Sequence, residues 1–248
     1  MTITEFSNEF DIAYNSIATN SAPGIDLYEK SVYLTKAQLE IVKNYYDSLS
    51  NRKRKGFENT EKRRVDLKEL IKDFKSTSPF SSTLAIHSSS KFFNIPNDTF
   101  IIINERVKIS SEDCANGTTI NVKPVTHDEF NIQINNPFKA PDKDVAWRMD
   151  ISKISNNFVV EILSPYNILG SLEYQLRYLK YPNPIILGDL TTSYPSENLS
   201  IDGVTGPSSS ELNSEIHREI IDRAVEIALL DYKAQNVQGK LQLDSRNE

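Results

Sequence analysis

The sequence predicts an α+β fold in which helices from both ends of the chain form a helical domain and an antiparallel β domain is inserted between them. Apolar residues recur at helical spacing up to about residue 75 and again near the C-terminus, whereas short β-type runs separated by turn residues occupy the middle. We therefore expect an N-terminal helical part over 1–75, a β-rich insertion over 76–209, a C-terminal helix over 210–235 that packs on the N-terminal part, and a tail over 236–248.

Capping signals and apolar periodicity predict the N-terminal helices. Thr2 and Glu5 have the spacing of a capping box, in which a hydroxyl and a carboxylate bind each other's backbone amides. Thr35 and Gln38 have the same spacing. The predicted helices are a first one that ends before residue 22, a short one at 26–29, a second main one over 36–49, and a third over 60–74, where apolar residues share one face.

The middle of the chain predicts strands and one long loop. The loop over 191–210 is rich in Ser, Thr, Gly and Pro and is long for a compact domain, which indicates either a docking element or a partly mobile one. Asn213, a preferred N-cap residue, precedes the helix that runs to about Gln235. We interpret Trp147 as a core residue and Arg148 as a surface cation beside it. The predicted strands are 83–87, 99–103, 118–122, 131–134, 145–151, 158–163 and 174–178.

Composition and charge exclude several classes of protein. With 28 Lys plus Arg against 34 Asp plus Glu, the formal charge of -6 argues against a protein that holds nucleic acid over its whole surface. One cysteine, Cys114, forms no internal disulfide, which fits a reducing cytoplasm. No apolar run approaches the ~20 residues that span a bilayer, and the N-terminus is acidic, so we expect neither a signal peptide nor a membrane partner.

No residue pattern supports catalysis. The glycine-rich phosphate-binding motifs and the nucleophile elbow are absent. We interpret His87, His127 and His217 as a strand residue, a loop residue and an early-helix surface residue, since none has metal-ligand spacing. A hydrolase would have to use His217 with Ser214 and Asp222, a set that spacing alone does not identify. We therefore predict no enzyme activity and no catalytic, metal-binding or cofactor-binding residues.

The sharpest charge feature is the segment 51–75. It carries ten cations and five anions, a net charge of +5 that leaves -11 on the rest of the chain. Three interpretations remain open: a solvated helix face, a phosphate-binding patch, or a surface that docks on acidic partners, including a second copy of the chain. As candidate interface residues between subunits or rings we take Arg52, Lys53, Arg54, Lys55, Lys62, Arg63 and Arg64.

Four sequence blocks span nearly the whole chain in a fixed order. They are LYEKSVYLTKAQ at 27–38, GFENTEKRRVDL at 56–67, LRYLKYPNPIIL at 176–187, and ELN at 211–213 followed by HREIIDRAVEIA at 217–228. Together they resemble a family of virion proteins from crAss-like and related tailed bacteriophages, which form rings in the neck below the portal. The relatives often carry Cys at the position of Ser210.

The resemblance implies a structural subunit that is made in the cytoplasm of the host bacterium and resides in the virion, as a head-to-tail connector between portal and tail. Its implied partners are copies of itself, about twelve in a closed ring, and the portal or adjacent neck and tail proteins. Genomic DNA would pass through the channel without specific binding. Because cations aimed at DNA would hold the genome, we expect Arg52–Arg64 to face a neighbouring subunit or ring. The alternative is a nucleic-acid-binding module that uses 51–75.

Overall fold

The computed structural model describes residues 1–17, 24–47, 57, 60–77, 79, 85, 87, 90–110, 117–154, 157–164 and 171–233. The chain folds into two compact units. A helical unit comprises Met1–Leu70 and Pro182–Glu248, and a sheet unit comprises Ile71–Tyr181. The predicted α+β class is confirmed, since the sheet lies in sequence between N-terminal helices and a C-terminal helix.

The first and last helices of the helical unit follow from local signals. Helix α1 covers Ile3–Ile17. Its N-terminus has the predicted capping box, with Thr2 N donating to Glu5 Oε2 at 2.7 Å and Glu5 N donating to Thr2 Oγ1 at 3.3 Å. The C-terminal helix, His217–Lys233, follows a 3-10 turn whose N-cap is Asn213 and packs against α1. Phe6, Phe10 and Tyr14 form the buried face of α1.

Helix α2 covers Leu27–Tyr46 without interruption. The sequence predicted two helices here, at 26–29 and 36–49, and that division is wrong. The helix begins where it does because Asp26 and Glu29 form a complete capping box. A second N-terminus further along would have interrupted a helix whose apolar face already packs against the C-terminal helix.

A row of polar side chains on α2 binds the backbone of the segment 183–187. The row has the spacing i, i+4, i+7, which places its members on one helix face. Thr35, predicted from the sequence to cap a helix, belongs to this row and is buried. The contacts join Ser31 Oγ to Leu187 N at 3.1 Å, Thr35 Oγ1 to Ile185 N at 3.1 Å, and Gln38 Nε2 to Asn183 O at 2.8 Å.

Thr35→Val is expected to lower the free energy of unfolding by about 1–3 kcal/mol, because it leaves the buried Ile185 N–H without its acceptor. Thr35→Ser keeps the hydroxyl and is the matched control. Urea denaturation followed by far-UV circular dichroism measures both variants. A loss in the serine variant as large as that in the valine variant would assign the effect to the methyl group instead.

The predicted loop 191–210 belongs to the helical unit. It begins with a short helix, α5, at Leu190–Ser193, and its residue Ser208 pairs with Ile186 in an isolated β-bridge. Ser210 Oγ donates to Gln38 Oε1 at 2.7 Å. The sheet unit therefore ends before residue 182, earlier than the predicted boundary at 209, because the chain that follows packs on α2. The apolar contact is made by Ile186, Leu190 and Ile201 against Leu27, Tyr28 and Val32.

The described residues of the sheet unit form seven strands: β1 (Ile71–Ser76), β2 (Ser90–Ile95), β3 (Thr99–Ser110), β4 (Thr119–Pro124), β5 (Val145–Ile154), β6 (Asn157–Leu163) and β7 (Ser171–Lys180). Their order is β1-β7-β3-β4-β5-β6-β2. Neighbouring strands are antiparallel, as predicted, except for the parallel pair β4 and β5. Helix α4, at His127–Gln133, connects that pair, since parallel neighbours need a crossover.

The third predicted helix, over 60–74, is wrong in its second half. Helix α3 covers only Glu61–Asp66, and after a 3-10 turn the chain continues as strand β1. In the register with β7, Asp73 faces Arg177, and Arg177 Nε donates to Asp73 Oδ1 at 2.7 Å. Pairing with β7 thus overrides the helical spacing of the apolar residues.

Five of the predicted strands overlap β3 to β7, and two do not. The predicted strand 131–134 is wrong, because Thr126 and Glu129 form a capping box that begins α4. The predicted strand 83–87 lies largely outside the described residues. His87, within it, lies in a bend rather than in a strand. Strands β1 and β2 were not predicted.

Every strand contributes side chains to one apolar core of the sheet unit. The core includes Phe93 of β2, Val107 of β3 and Tyr174 of β7. Successive side chains along β5 point to opposite faces of the sheet, so this strand also contributes to the face away from that core. There Trp147 packs in a second cluster with Phe130 of α4, and their ring centroids are 6.1 Å apart. Trp147 is therefore a core residue, as predicted.

Candidate functional site

The predicted interface residues divide into two groups. The members at 52–55, Arg52, Lys53, Arg54 and Lys55, lie outside the described residues. The other three, Lys62, Arg63 and Arg64, lie on α3. Their surroundings decide which of them is available to a partner.

Two of the three cations on α3 are engaged within the helical unit. Lys62 Nζ lies 3.0 Å from Oε1 of Glu219 on the C-terminal helix, which we label α6. Tyr45 of α2 donates its hydroxyl to Oε2 of the same carboxylate at 2.5 Å. The guanidinium of Arg63 lies 5.2 Å from the centroid of the Tyr45 ring, a cation–π contact. Glu219 therefore joins α2, α3 and α6.

The hydrogen bonds at Glu219 change the ionisation of the groups that share it. Burial favours the neutral acid, but hydrogen bonds from Tyr45 and Lys62 outweigh it and hold the pKa of Glu219 below its ordinary value. Burial and the bond to Glu219 raise the pKa of Tyr45. At neutral pH the carboxylate is thus charged and the phenol remains a donor.

Asp66, at the end of α3, is a buried carboxyl in the same cluster. It is 1% exposed, and neither of its oxygens has a hydrogen-bond partner among the described residues. Burial raises its pKa, although the charge of Lys62 opposes this shift. The ionised form of Asp66 is therefore destabilised by burial, so this carboxyl takes up a proton at a higher pH than an exposed aspartate does.

Arg64 differs from its two neighbours. Its side chain is exposed, and it makes no ion pair within the part of the chain that the structure describes. Of the predicted interface residues on α3, Arg64 is thus the one that is free to meet a partner.

His217 is buried, so its interpretation as a surface residue is wrong. Its Nε2 lies 3.0 Å from the carbonyl oxygen of Leu212, and its Nδ1 lies 3.1 Å from the nitrogen of Met1. The ring also packs against Phe6 at a centroid distance of 5.0 Å. Both ring nitrogens are occupied by backbone groups rather than by the side chains of Ser214 or Asp222. His127, interpreted as a loop residue, begins α4.

The free energy of unfolding is expected to fall as the pH decreases from about 7 to about 5. Burial lowers the pKa of His217, while its bond to the Leu212 carbonyl opposes this shift. The unfolded chain therefore binds the proton first. The contribution of neutral His217 to the free energy of unfolding is complete above the pKa of histidine in the unfolded chain, about 6.5. It is lost as the pH falls toward the lower pKa of His217 in the folded chain.

His217→Gln should remove this part of the pH dependence, as measured by urea unfolding midpoints at several pH values. His127→Gln, at an exposed position, is the control and should keep the slope of the wild type. An unchanged slope in the His217 variant would assign the pH dependence to other groups.

Arg148 is buried, so its interpretation as a surface cation is wrong. Its Nη1 lies 2.8 Å from Glu105 Oε2, and Tyr174 donates its hydroxyl to Glu105 Oε1. Burial opposes the charge of Arg148, but Glu105 and Asp150 hold its pKa above the ordinary value. Burial and Glu105 raise the pKa of Tyr174. These groups pair with one another inside the sheet unit, which is typical of a structural network.

Two exposed apolar side chains were missed by sequence reasoning. Phe138 is 95% exposed and Ile132 is 77% exposed, and both lie in the connection between β4 and β5. The signal that locates them is the turn sequence Asn135-Asn136-Pro137, directly before Phe138. Apolar side chains that together form an exposed patch commonly mark protein contacts, whereas single ones are ordinary surface residues.

The described residues offer neither a metal site nor a membrane-spanning helix. No group of three or more His, Cys, Asp or Glu side chains within it is placed to hold a metal ion. None of its helices has the length and apolar character that a membrane span requires.

The described chain thus combines helices joined by internal ion pairs with exposed apolar side chains, a combination that suits contacts with other proteins. The family model described as phage tail ring protein 3/4 matches residues 1–240. The chain therefore belongs to this family of structural ring proteins of phages, and the predicted resemblance is confirmed.

Two relatives from Bacteroides phage crAss001 have similarity over almost their whole length. One, named Ring protein 4/5, is 39% identical over 249 residues, which covers 100% of both chains. The other, named Ring protein 3, is 35% identical over 232 residues, which covers 93% of this chain and 96% of the relative.

Proposed function

We propose that the protein forms a closed ring of about twelve copies in the neck of a tailed phage, as a connector between portal and tail. The observation that carries this proposal is the similarity, over at least 93% of the chain, to two proteins that are both named as ring proteins. Because both relatives come from one phage, adjacent rings built from related chains are part of the proposal. We further propose synthesis in the host cytoplasm and a role without catalysis.

We propose that the positively charged segment 51–75 forms part of the interface between subunits or rings. In a cyclic ring each subunit presents two different flanks that must complement each other. Arg64 is exposed, whereas Lys62 and Arg63 make contacts within their own chain. We therefore propose that Arg64, together with the cations at 52–55, faces a neighbouring subunit or ring, and that Lys62 and Arg63 hold α3 in position for this contact.

Purified full-length protein, alone and coexpressed with the portal of the same phage, is expected to give ring-shaped particles in negative stain and closed oligomers in native mass spectrometry. Arg64→Glu should weaken these assemblies, while Lys36→Glu, another exposed cation on a helix of the same unit, should not. A strict monomer under all of these conditions would contradict the proposed function.

The nucleic-acid alternative makes a different prediction. If 51–75 bound DNA, affinity would fall steeply with salt and Arg64→Glu would reduce the salt dependence. A titration with duplex DNA at low salt measures this. Our proposal instead predicts that the wild-type protein binds duplex DNA no more tightly than the Arg64→Glu variant does. A map of the assembled ring in which these side chains line the duplex would overturn the proposal.

A further inference from the structure

The connection between β4 and β5 presents an apolar tip, which we define as Ile132 and Phe138. One side of α4 is anchored, because Phe130 is buried against Trp147. The tip lies away from this contact, since Ile132 is 77% and Phe138 95% exposed. Water therefore surrounds two large apolar side chains whose burial elsewhere would be favourable.

Backbone hydrogen bonds hold the apolar tip in one conformation. Asn136 Oδ1 accepts from Phe138 N at 3.0 Å, and the carbonyl oxygen of Asn136 accepts from Lys139 N at 3.0 Å and from Ala140 N at 2.9 Å. Asn136 N in turn donates to Gln133 O at 2.9 Å. A side chain presented from such a fixed turn loses little conformational entropy on binding.

The sheet unit also carries an apolar cleft. It lies where β2, β5 and β6 approach one another and is lined by Ile95, Ile151, Phe158 and Val160, with Asp150 beside them. Phe158 is 41% exposed, so the cleft has an aromatic wall open to solvent. The side chain of Asp150 is largely exposed and places a carboxylate at this wall.

We propose that the apolar tip of one subunit inserts into the apolar cleft of the next copy of the same chain. The tip carries the exposed cation Lys139 directly after Phe138, and the cleft carries the carboxylate of Asp150, so that charge and apolar surface are both complementary. The inference rests on the ring proposed above, because a ring requires each copy to be a neighbour of another copy.

The same geometry explains why such a contact generates a ring rather than a pair. Tip and cleft are different surfaces, so a pair of bound subunits still has one free tip on one copy and one free cleft on the other. Such a heterologous contact continues from copy to copy until rotation closes it. A tip that met another tip would satisfy both subunits at once and stop at a dimer.

Phe138→Ser in the full-length chain is expected to raise the concentration at which half of the protein is assembled by about tenfold or more, since aromatic anchors dominate interface energies. Ile12→Ser is the matched control, because Ile12 is 70% exposed on α1 but lies outside tip and cleft. Native mass spectrometry over a concentration series measures both. The tryptophan fluorescence of Trp147 should be unchanged in both variants.

Cross-linking identifies the occupant of the cleft. In a Cys114→Ser background, Asn135→Cys labels the tip and Asn157→Cys labels the cleft, both at exposed positions. With a short bismaleimide, a mixture of the two proteins is expected to give covalent dimers, and neither protein alone should. Dimers from Asn135→Cys alone would indicate a symmetric contact and overturn the proposal, as would a tip that cross-links only to a different ring protein.

Failure of this inference is distinguishable from failure of the proposed function. If Phe138→Ser forms rings as readily as the wild type and the mixture of cysteine variants gives no cross-link, the proposed ring still stands but the tip–cleft contact is excluded. If the wild-type protein forms no rings, either alone or with the portal, then the proposed function and the tip–cleft contact are both contradicted.

Discussion

Arg148→Met is expected to lower the free energy of unfolding of the sheet unit by about 3–5 kcal/mol. The reason is the carboxylate that remains. Glu105 is buried, with its Oε2 at 2.8 Å from the Arg148 guanidinium. Without the cation, only the hydroxyl of Tyr174 remains on this carboxylate within the described network. A charge that is buried and unpaired in this way costs several kcal/mol.

Removing the whole network tests this explanation. The triple variant Arg148→Met, Glu105→Leu, Tyr174→Phe replaces the three buried members of the network by apolar side chains and leaves only the exposed Asp150, and such replacements are often neutral. It should therefore recover most of the lost free energy of unfolding. Trp147 is the single tryptophan of the chain and lies in the sheet unit, so its fluorescence in a urea titration reports on this unit. A loss below about 1 kcal/mol in Arg148→Met would mean that solvent screens the pair.

Phe93→Ala is expected to lower the free energy of unfolding of the sheet unit by about 3–5 kcal/mol. Phe93 is fully buried in the core to which every strand contributes, with its ring centroid 5.4 Å from that of Tyr174. The neighbouring side chains belong to several strands, so the cavity left by the ring cannot collapse through one local movement. The urea titration with Trp147 fluorescence measures this loss.

Phe138→Ala is the matched control for this experiment. The same ring is removed, but Phe138 is exposed, so the free energy of unfolding should change by less than about 0.5 kcal/mol. Together the two variants separate an aromatic residue that folds the chain from one that we propose joins chains. A large loss in Phe138→Ala would mean that the tip is part of the folded core.

The row of polar residues on α2 shows why a correct local pattern was misread. Thr35 and Gln38 have the spacing of a capping box, but their side chains bind the backbone of 183–187. Nothing within four residues of Thr35 contains that information, because its partner Ile185 is 150 positions away. Conversely, Thr126 and Glu129 form a capping box that was visible in the sequence and was overlooked.

The sequence by itself determined the family, the fold class, the start of α1 at its capping box, and Asn213 as the N-cap of the turn that leads into α6. These features depend on resemblance along the chain or on hydrogen bonds between residues a few positions apart. Only the tertiary structure decided that 71–76 is a strand, that Arg148 and His217 are buried, and that Lys62 is bound by Glu219. The reason is that strand pairing, burial and ion pairing depend on residues distant in sequence, whose positions no local pattern encodes.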